Sequence, residues 1–288
     1  MSSSSFSCSA LDAFERDGFL LLKNAVDSDQ LAAMRAQFDD WVEESRTHSS
    51  NFGETINGKP RFDLEPGHTA DHPRLRRVNA PVEAGSAYRS AMEDSRMTDA
   101  VADLIGPNVK FHHSKINSKL PRTNTEVKYH QDFTYTPHSN ADVVTSLVML
   151  DDTDAENGCL MVVPGSHKGP LLSLWHGGKF TGAVDPEIEA ELAKKAVPVM
   201  GKAGDACLMH TRVVHGSAPN NSDKRRVLSI FVFTAEDAIP LSPNPMPNVD
   251  QGRVVRGQPT GRIRSVAFDL QAPELPQGTS FFEQQEDA

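Results

Sequence analysis

The sequence predicts a mainly β fold, an antiparallel sandwich or barrel, with helices flanking it. Three observations carry that expectation. Between residues 108 and 235, short apolar or alternating runs follow one another, separated by the turn pairs Asn157-Gly158, Pro164-Gly165 and Gly204-Asp205. That spacing suits antiparallel strands better than a parallel sheet with crossover helices. Residues 9–106 show helical periodicity instead, so the helices stand beside the strands in sequence. The chain also has 288 residues, 38% of them hydrophobic and 24% charged, enough for a large core and too apolar for wholesale disorder.

Taken in order, Ser9 is placed to cap a short first helix, with Asp12 three positions on and Gly18 to end it. Phe19–Leu22 reads as a short apolar strand. Leu31, Met34, Phe38, Trp41 and Val42 follow the spacing of an amphipathic helix begun near Asp27 or Ser28. Residues 49–85 hold Gly, Pro and His without a period and read as loop. Tyr88, Met92, Val101, Leu104 and Ile105 suggest further helix, stopped by Gly106-Pro107. The strand candidates are Lys110–Ile116, Val127–Thr136, Val143–Leu150, Cys159–Val163, Ala206–His210 and Arg226–Phe233. The Pro- and Gly-rich stretch 239–282 is expected to wrap or cover the core. Ser2–Ser9 and Glu283–Ala288 read as frayed tails. There is no internal repeat, and 1–288 is expected to form one domain with a helical part (9–106), a strand-rich core (108–235) and a covering segment (239–282).

Charge and cysteine usage narrow the function. With 29 Lys plus Arg against 39 Asp plus Glu, the formal charge is −10, a poor match for a phosphate backbone, so no nucleic-acid partner is expected. No apolar run reaches membrane-spanning length. Cys8, Cys159 and Cys207 are odd in number and far apart, which argues against a disulfide framework. The serine-rich start has neither basic flank nor apolar stretch and does not read as a signal peptide. The expectation is a soluble, cytoplasmic protein; the sequence does not set its oligomeric state.

His130-Gln131-Asp132 is the first candidate for chemistry. In a strand, residues two apart share a face, so an imidazole and a carboxylate would be presented together. A third ligand would complete a 2-His-1-carboxylate facial triad, the arrangement of non-heme Fe(II) oxygenases. By itself the pair reads better as a surface histidine and a turn aspartate. Downstream, however, Asn157-Gly158-Cys159-Leu160 leads to Pro164-Gly165-Ser166-His167, Gly204-Asp205 opens a strand ending at His210, and His215-Gly216-Ser217 is followed by Arg226.

Together these motifs, within Phe14 to Phe233, resemble the phytanoyl-CoA dioxygenase-like family of Fe(II)/2-oxoglutarate oxygenases. The resemblance implies a double-stranded β-helix (jelly-roll, cupin-like) core, with His130, Asp132 and His215 as iron ligands and Arg226 on the distal carboxylate of 2-oxoglutarate. A guanidinium suits that task, being permanently charged and two-pronged. Arg225 would face away. Ser217, Thr145 and Asn117 align with positions that help hold the co-substrate. The implied reaction consumes O2 and 2-oxoglutarate, releases succinate and CO2, and hydroxylates an unactivated C–H. A carboxylate at Asp132, where related halogenating enzymes have a small residue, favours hydroxylation, with desaturation or ring closure left open. The substrate expected is a small polar metabolite such as an amino acid, an aminoalkylphosphonate or a secondary metabolite. Two other readings stay open: a metal-dependent cupin-type enzyme that does not use 2-oxoglutarate, and a non-catalytic jelly-roll binding protein.

The remaining histidines compete for these roles. His210 is the rival third ligand but sits at the end of an apolar strand and reads better as a packed residue. His167 reads as structural, His112-His113 cannot both face inward, and His138 reads as a solvated loop residue. Arg61, His68, Arg76 and Arg77, with Arg253, Arg256, Arg262 and Arg264, either receive an anionic substrate group or balance surface acids, the second being favoured. Tyr129, Phe133 and Tyr135 are expected to pack the barrel wall.

Overall fold

A computed structural model of the chain describes residues 6–275 and 281–285. Its strands are β1 (Phe19–Leu22), β2 (Phe62–Leu64), β3 (Leu75–Asn79), β4 (Val109–Lys119), β5 (Val127–His130), β6 (Val143–Met149) and β7 (Leu160–Val162). They continue with β8 (Trp175–His176), β9 (Lys179–Phe180), β10 (Val197–Val199), β11 (Ala206–His210), β12 (His215–Ser217), β13 (Arg226–Ala235) and β14 (Val254–Arg256). One large sheet has the order β1-β11-β6-β13-β4-β3-β2, with β14 added at β4, and a smaller one has the order β10-β7-β12-β5. Every pairing is antiparallel.

The alternation along each strand builds three layers. In β6 and β13, Val144, Val148, Val227, Phe231 and Phe233 turn to a core shared with Met34, Phe38, Trp41, Tyr88 and Met92 of the helices. The intervening Leu147, Met149, Leu228 and Ile230 turn the other way and pack with Leu160, Val162 and Val199 of the smaller sheet. A strand buried on both faces reads as a continuous apolar run. That is how Arg226–Ala235, buried at every position, looks in sequence. The two facing sheets are those of a double-stranded β-helix.

Local signals hold in detail, with three corrections. The first helix, Cys8–Asp17, is capped by Ser7, whose hydroxyl accepts from the Ala10 N–H; Ser9 already lies inside the first turn. Gly18, at φ +82°, ends it as expected. Asp27 and Gln30 cap Ser28–Ser45 reciprocally. Two further helices, Ser86–Glu93 and Arg96–Ile105, carry the other helical signals. The second correction concerns 49–85, which contains β2, β3 and the helical turn Pro81–Ala84. Three- and five-residue strands have too little length to show a period. They exist through pairing, with Arg77 opposite Asn117 and Val78 opposite Ile116 of β4. Third, Val127–Thr136 is a strand only as far as His130; Asp132–Tyr135 is one helical turn.

The C-terminal stretch partly meets its expectation. β14 extends the large sheet and residues 257–275 run mostly exposed over the surface, while Phe281 and Phe282 are buried. Glu283 to Gln285 are helical rather than frayed, and residues 2–5 and 286–288 lie outside the described residues. Cys8 is exposed, Cys159 and Cys207 buried, all unpaired. Among the described residues, no helix is long and apolar enough to cross a membrane.

Candidate active site

The antiparallel pairing of β12 with β5 sets His215 directly opposite His130. Gly216 makes that approach possible, since a Cβ there would lie 2.8 Å from the Val127 carbonyl oxygen. Asp132 opens the helical turn just after β5, and its Oδ1 lies 3.6 Å from His130 Nε2 and 3.8 Å from His215 Nε2. The three groups are thus adjacent, though by the end of a strand and a turn rather than by two-residue alternation. Their ligand atoms lie within 4.8 Å of one another.

The protonation states suit a metal. His130 Nδ1 is 2.9 Å from the Lys128 carbonyl and His215 Nδ1 is 3.0 Å from that of Val213. A carbonyl only accepts, so each Nδ1 carries the proton and each Nε2 offers a lone pair inward. Burial, then the neighbouring His130, pushes His215 down to about 4, leaving it neutral at pH 7. Burial acts against the Asp132 carboxylate too, but His215, His130 and Lys115 outweigh it and hold the carboxyl well below its usual range. Two neutral imidazoles and one carboxylate at this spacing fit a divalent transition metal, iron included.

The triad faces a chamber between the sheets, about 840 Å³ with its open mouth, that continues past Arg77, Lys115 and Thr145 to Arg226. Arg226, the first residue of β13, is 2% exposed. Its Nε donates to the Gly158 carbonyl at 3.1 Å and its Nη1 to that of Asn117 at 3.3 Å. Both acceptors are neutral, and among the described residues no carboxylate pairs with it. Burial lowers it to about 10. Gly158, at φ +77°, can present its carbonyl there because it has no Cβ, which would meet the Ala218 oxygen at 2.6 Å.

Ser217 lines the same end, its hydroxyl accepting from Lys119 Nζ at 2.7 Å; that ammonium also donates to the Ala218 carbonyl. Burial pushes Lys119 well down. Thr145 and Asn117 line the chamber but are engaged by protein groups: Thr145 Oγ1 donates to Asp132 Oδ2 at 2.6 Å, and Asn117 Oδ1 accepts from Arg77 Nε at 3.0 Å. Arg225 faces the outside, paired with Asp151 and Asp39.

The other candidates separate cleanly. His210 lies outside the triad, its Nδ1 accepting from the Arg212 N–H at 3.1 Å and its ring between Phe14 and His167. His167 bonds the Glu15 carbonyl in a short helical turn. His113 lines the chamber and His112 lies buried near Asn244 and Asn248. His138 is fully buried against His112, not solvated, because it bridges to Pro240. Arg61, Arg76, Arg253, Arg256 and Arg264 are spent on Glu83, Asp63, Glu93, Asp99 and Asp237. His68 bonds the Ser45 carbonyl. Tyr135 walls the chamber with Phe281.

Lys115 and Lys119 were not singled out from sequence, although a signal existed. They flank Asn117 at two-residue steps in β4, so the alternation that turns Asn117 inward turns both lysines inward as well. Phe281, whose ring lies 5.1 Å from that of His130, left no comparable sign.

Two facing antiparallel sheets with a 2-His-1-carboxylate group, its histidines buried and its aspartate partly so, define the class: a jelly-roll protein with the metal constellation of the non-heme iron oxygenases. The family model for phytanoyl-CoA dioxygenase (PhyH) matches residues 14–228, and the chain belongs to that family. A Stutzerimonas stutzeri protein named "Probable alpha-ketoglutarate-dependent hypophosphite dioxygenase" is 34% identical over 194 residues, 63% of this chain and 64% of that protein. The peroxisomal phytanoyl-CoA dioxygenase of Rattus norvegicus is 25% identical over 220 residues, 73% of this chain and 62% of the relative. The chain therefore spans a little under two thirds of the length of these two. An ectoine dioxygenase of Sphingopyxis alaskensis is 27% identical over 240 residues, covering 77% of this chain and 74% of the relative. Among solved structures, EctD from S. alaskensis with 2-oxoglutarate and 5-hydroxyectoine superposes with a TM-score of 0.64 at 23% identity, covering 82% of this chain and 78% of that one. At that identity the likeness establishes the fold.

Proposed function

We propose that the chain is an Fe(II)/2-oxoglutarate-dependent oxygenase that hydroxylates an unactivated C–H of a small polar metabolite. The observation that carries this reading is the sharing of one buried chamber by the His130–Asp132–His215 group and an acid-free Arg226. His130, Asp132 and His215 would hold the iron. Arg226, steadied by the Gly158 and Asn117 carbonyls, would take the distal carboxylate of 2-oxoglutarate, with the Ser217 hydroxyl beside it. Bound iron and 2-oxoglutarate supply activation of O2, and one oxygen atom goes to the substrate and the other to succinate, with loss of CO2. The chain's own work is to fix ligand tautomers, orient the keto acid and keep water out behind Phe281 and Tyr135.

A cupin-type enzyme without the keto acid has no use for a buried arginine that shares the chamber of the 2-His-1-carboxylate group and has no carboxylate partner among the described residues. The test is succinate formation from 2-oxoglutarate with Fe(II) in air, across amino acids, phosphonates, betaines and acyl-CoAs. A substrate-stimulated rate that Arg226→Ala suppresses supports the reading. No succinate from iron-loaded protein under any condition refutes it.

A further inference from the structure

One histidine in the chamber has no part in the reading above. His113, in β4, is 3% exposed and lines the chamber wall. Among the described residues its side chain makes one hydrogen bond, ring to ring, with His112 Nδ1 2.7 Å from its own Nδ1. Its Nε2 has no partner there, yet it is not sealed in the protein as His112 Nε2 is. His112 is closed off on its far side. Its ring meets that of His138 edge to face, 4.8 Å between centroids. His138 Nδ1 donates to the Thr136 carbonyl at 2.9 Å, so its own buried Nε2 is a bare lone pair. The His112 backbone carbonyl accepts from Asn244 Nδ2 at 3.2 Å and Asn248 Nδ2 at 3.0 Å. Those asparagines flank Pro245, Met246 and Pro247, which line the chamber, so the histidine pair is anchored to its wall.

Counting protons sets the polarity of the ring-to-ring bond. Burial pushes His112 down to about 3 and His113 well below its ordinary value, so both are neutral at pH 7. Two neutral imidazoles place a single proton between their Nδ1 atoms. With that proton on His113, His112 would carry its own on Nε2, a buried N–H without an acceptor. With the proton on His112, only a lone pair goes unmet, and His113 carries its proton on Nε2, where a ligand can reach it. Orphaned buried N–H groups are the rarer defect, so His113 offers the chamber a donor.

Strand register sets that donor level with the metal group. Val232 of β13 stands beside His113 on one side and beside Thr145 of β6 on the other. Thr145 is the residue bonded to Asp132. His113 and Thr145 thus share one rung of the sheet, two strand spacings or about 10 Å apart. Resting on the function proposed above, we infer that His113 is a specificity residue whose Nε2–H donates to an oxygen acceptor of the primary substrate, holding one end of the molecule while its C–H faces the metal. A carbonyl, carboxylate or phosphonate oxygen fits; an ammonium group, which only donates, does not. His112 is the positioning residue that fixes the tautomer.

The test is heteronuclear NMR of the full chain labelled at histidine nitrogen, loaded with 2-oxoglutarate and with Zn(II) in place of iron. Before any further ligand is added, His112 should carry its proton on Nδ1 and His113 on Nε2. Propionate, propionamide and methylphosphonate are the acceptor probes, and propylammonium is the donor-only control. At least one acceptor should move the His113 Nε2–H resonance, and the control should not. By calorimetry, His113→Leu should weaken that probe about three- to tenfold, the loss of one hydrogen bond, and His113→Gln, whose amide can donate, should restore part of it. A His113 proton on Nδ1, no shift with any acceptor, an equal response to propylammonium, or affinity indifferent to His113→Leu overturns the inference. If the chain binds no 2-oxoglutarate, the oxygenase reading falls and the inference with it; if 2-oxoglutarate binds and no acceptor does, only the inference falls.

Discussion

Thr145 donates a 2.6 Å hydrogen bond to Asp132 Oδ2, the carboxylate oxygen not approached by the two imidazoles. The bond crosses from β6 of the large sheet to the turn following β5 of the small one. It fixes the rotation of the carboxylate before any metal arrives. Such outer contacts orient ligands and tune affinity. The hydroxyl expected from sequence to hold the co-substrate instead donates to the carboxylate.

Thr145→Val keeps the shape and removes the donor. Metal affinity should fall by about 10–100-fold with little change in melting temperature, and Thr145→Ser should keep most of it. Titration with Fe(II) or Co(II) decides. Unchanged affinity in the valine variant would show the bond to be incidental.

Arg226→Ala should raise the KM for 2-oxoglutarate by about 10–150-fold, the range for a lost hydrogen bond to a charged group, with a smaller effect on kcat. Gly158→Ala should act in the same direction. Its φ of +77° and the Ala218 oxygen 2.6 Å from a new Cβ disturb the carbonyl that steadies Arg226. The strain should also cost about 1–3 kcal/mol of stability. Steady-state succinate assays and chemical denaturation measure both, and an unaltered KM in Arg226→Ala would remove the arginine from the keto-acid site.

Acid should weaken the metal-free fold early. Burial holds His112 and His210 down at about 3 and His138 and His215 at about 4. Below pH 6.5 the unfolded chain takes up protons that the folded chain refuses. The contribution is present above the unfolded value and is lost as pH falls toward the folded one. Each such histidine removes up to roughly 1.4 kcal/mol per pH unit across that window. Urea midpoints should therefore drop between pH 7 and pH 4, and His210→Gln should flatten the slope. A variant as steep as wild type would contradict the assignment.

Phe281→Ala should open the chamber beside His130, whose ring lies 5.1 Å from that of Phe281. Substrate-free succinate production should rise, and stability should fall by about 3–5 kcal/mol. A substrate-free rate equal to or below wild type would argue that Phe281 excludes no water.

Much of the fold was legible because it rests on local rules. Asp27 and Gly18 mark helix ends through backbone chemistry, and Arg226–Ala235 is apolar because both of its faces are covered. Sequence order also pointed to the three side chains that meet, since His130 and Asp132 are neighbours and His215 is carried by a motif. What stayed hidden depends on partners far along the chain. Arg76 and Arg77 are adjacent and look alike; only pairing with β2 and β4 gives one an aspartate and turns the other to the chamber. Lys115 and Lys119 were visible to alternation, but a lysine run on a strand reads as solvated until a second sheet covers it. Phe281 gave no sign, since nothing local ties residue 281 to residue 130.

That last tie is secured by Gln285, whose side chain accepts from the Lys128 N–H at 3.0 Å and donates to the Gly182 carbonyl at 2.8 Å. The strand bearing the first ligand is thus fastened by some of the last residues described. During synthesis, His130, Asp132 and His215 emerge more than sixty residues before Phe281 and Gln285. A nascent chain that bound iron in that interval would hold it in a chamber without its wall, open to water and oxygen. A metal held by the proposed site would therefore sit in a walled chamber only once Phe281 has packed beside His130.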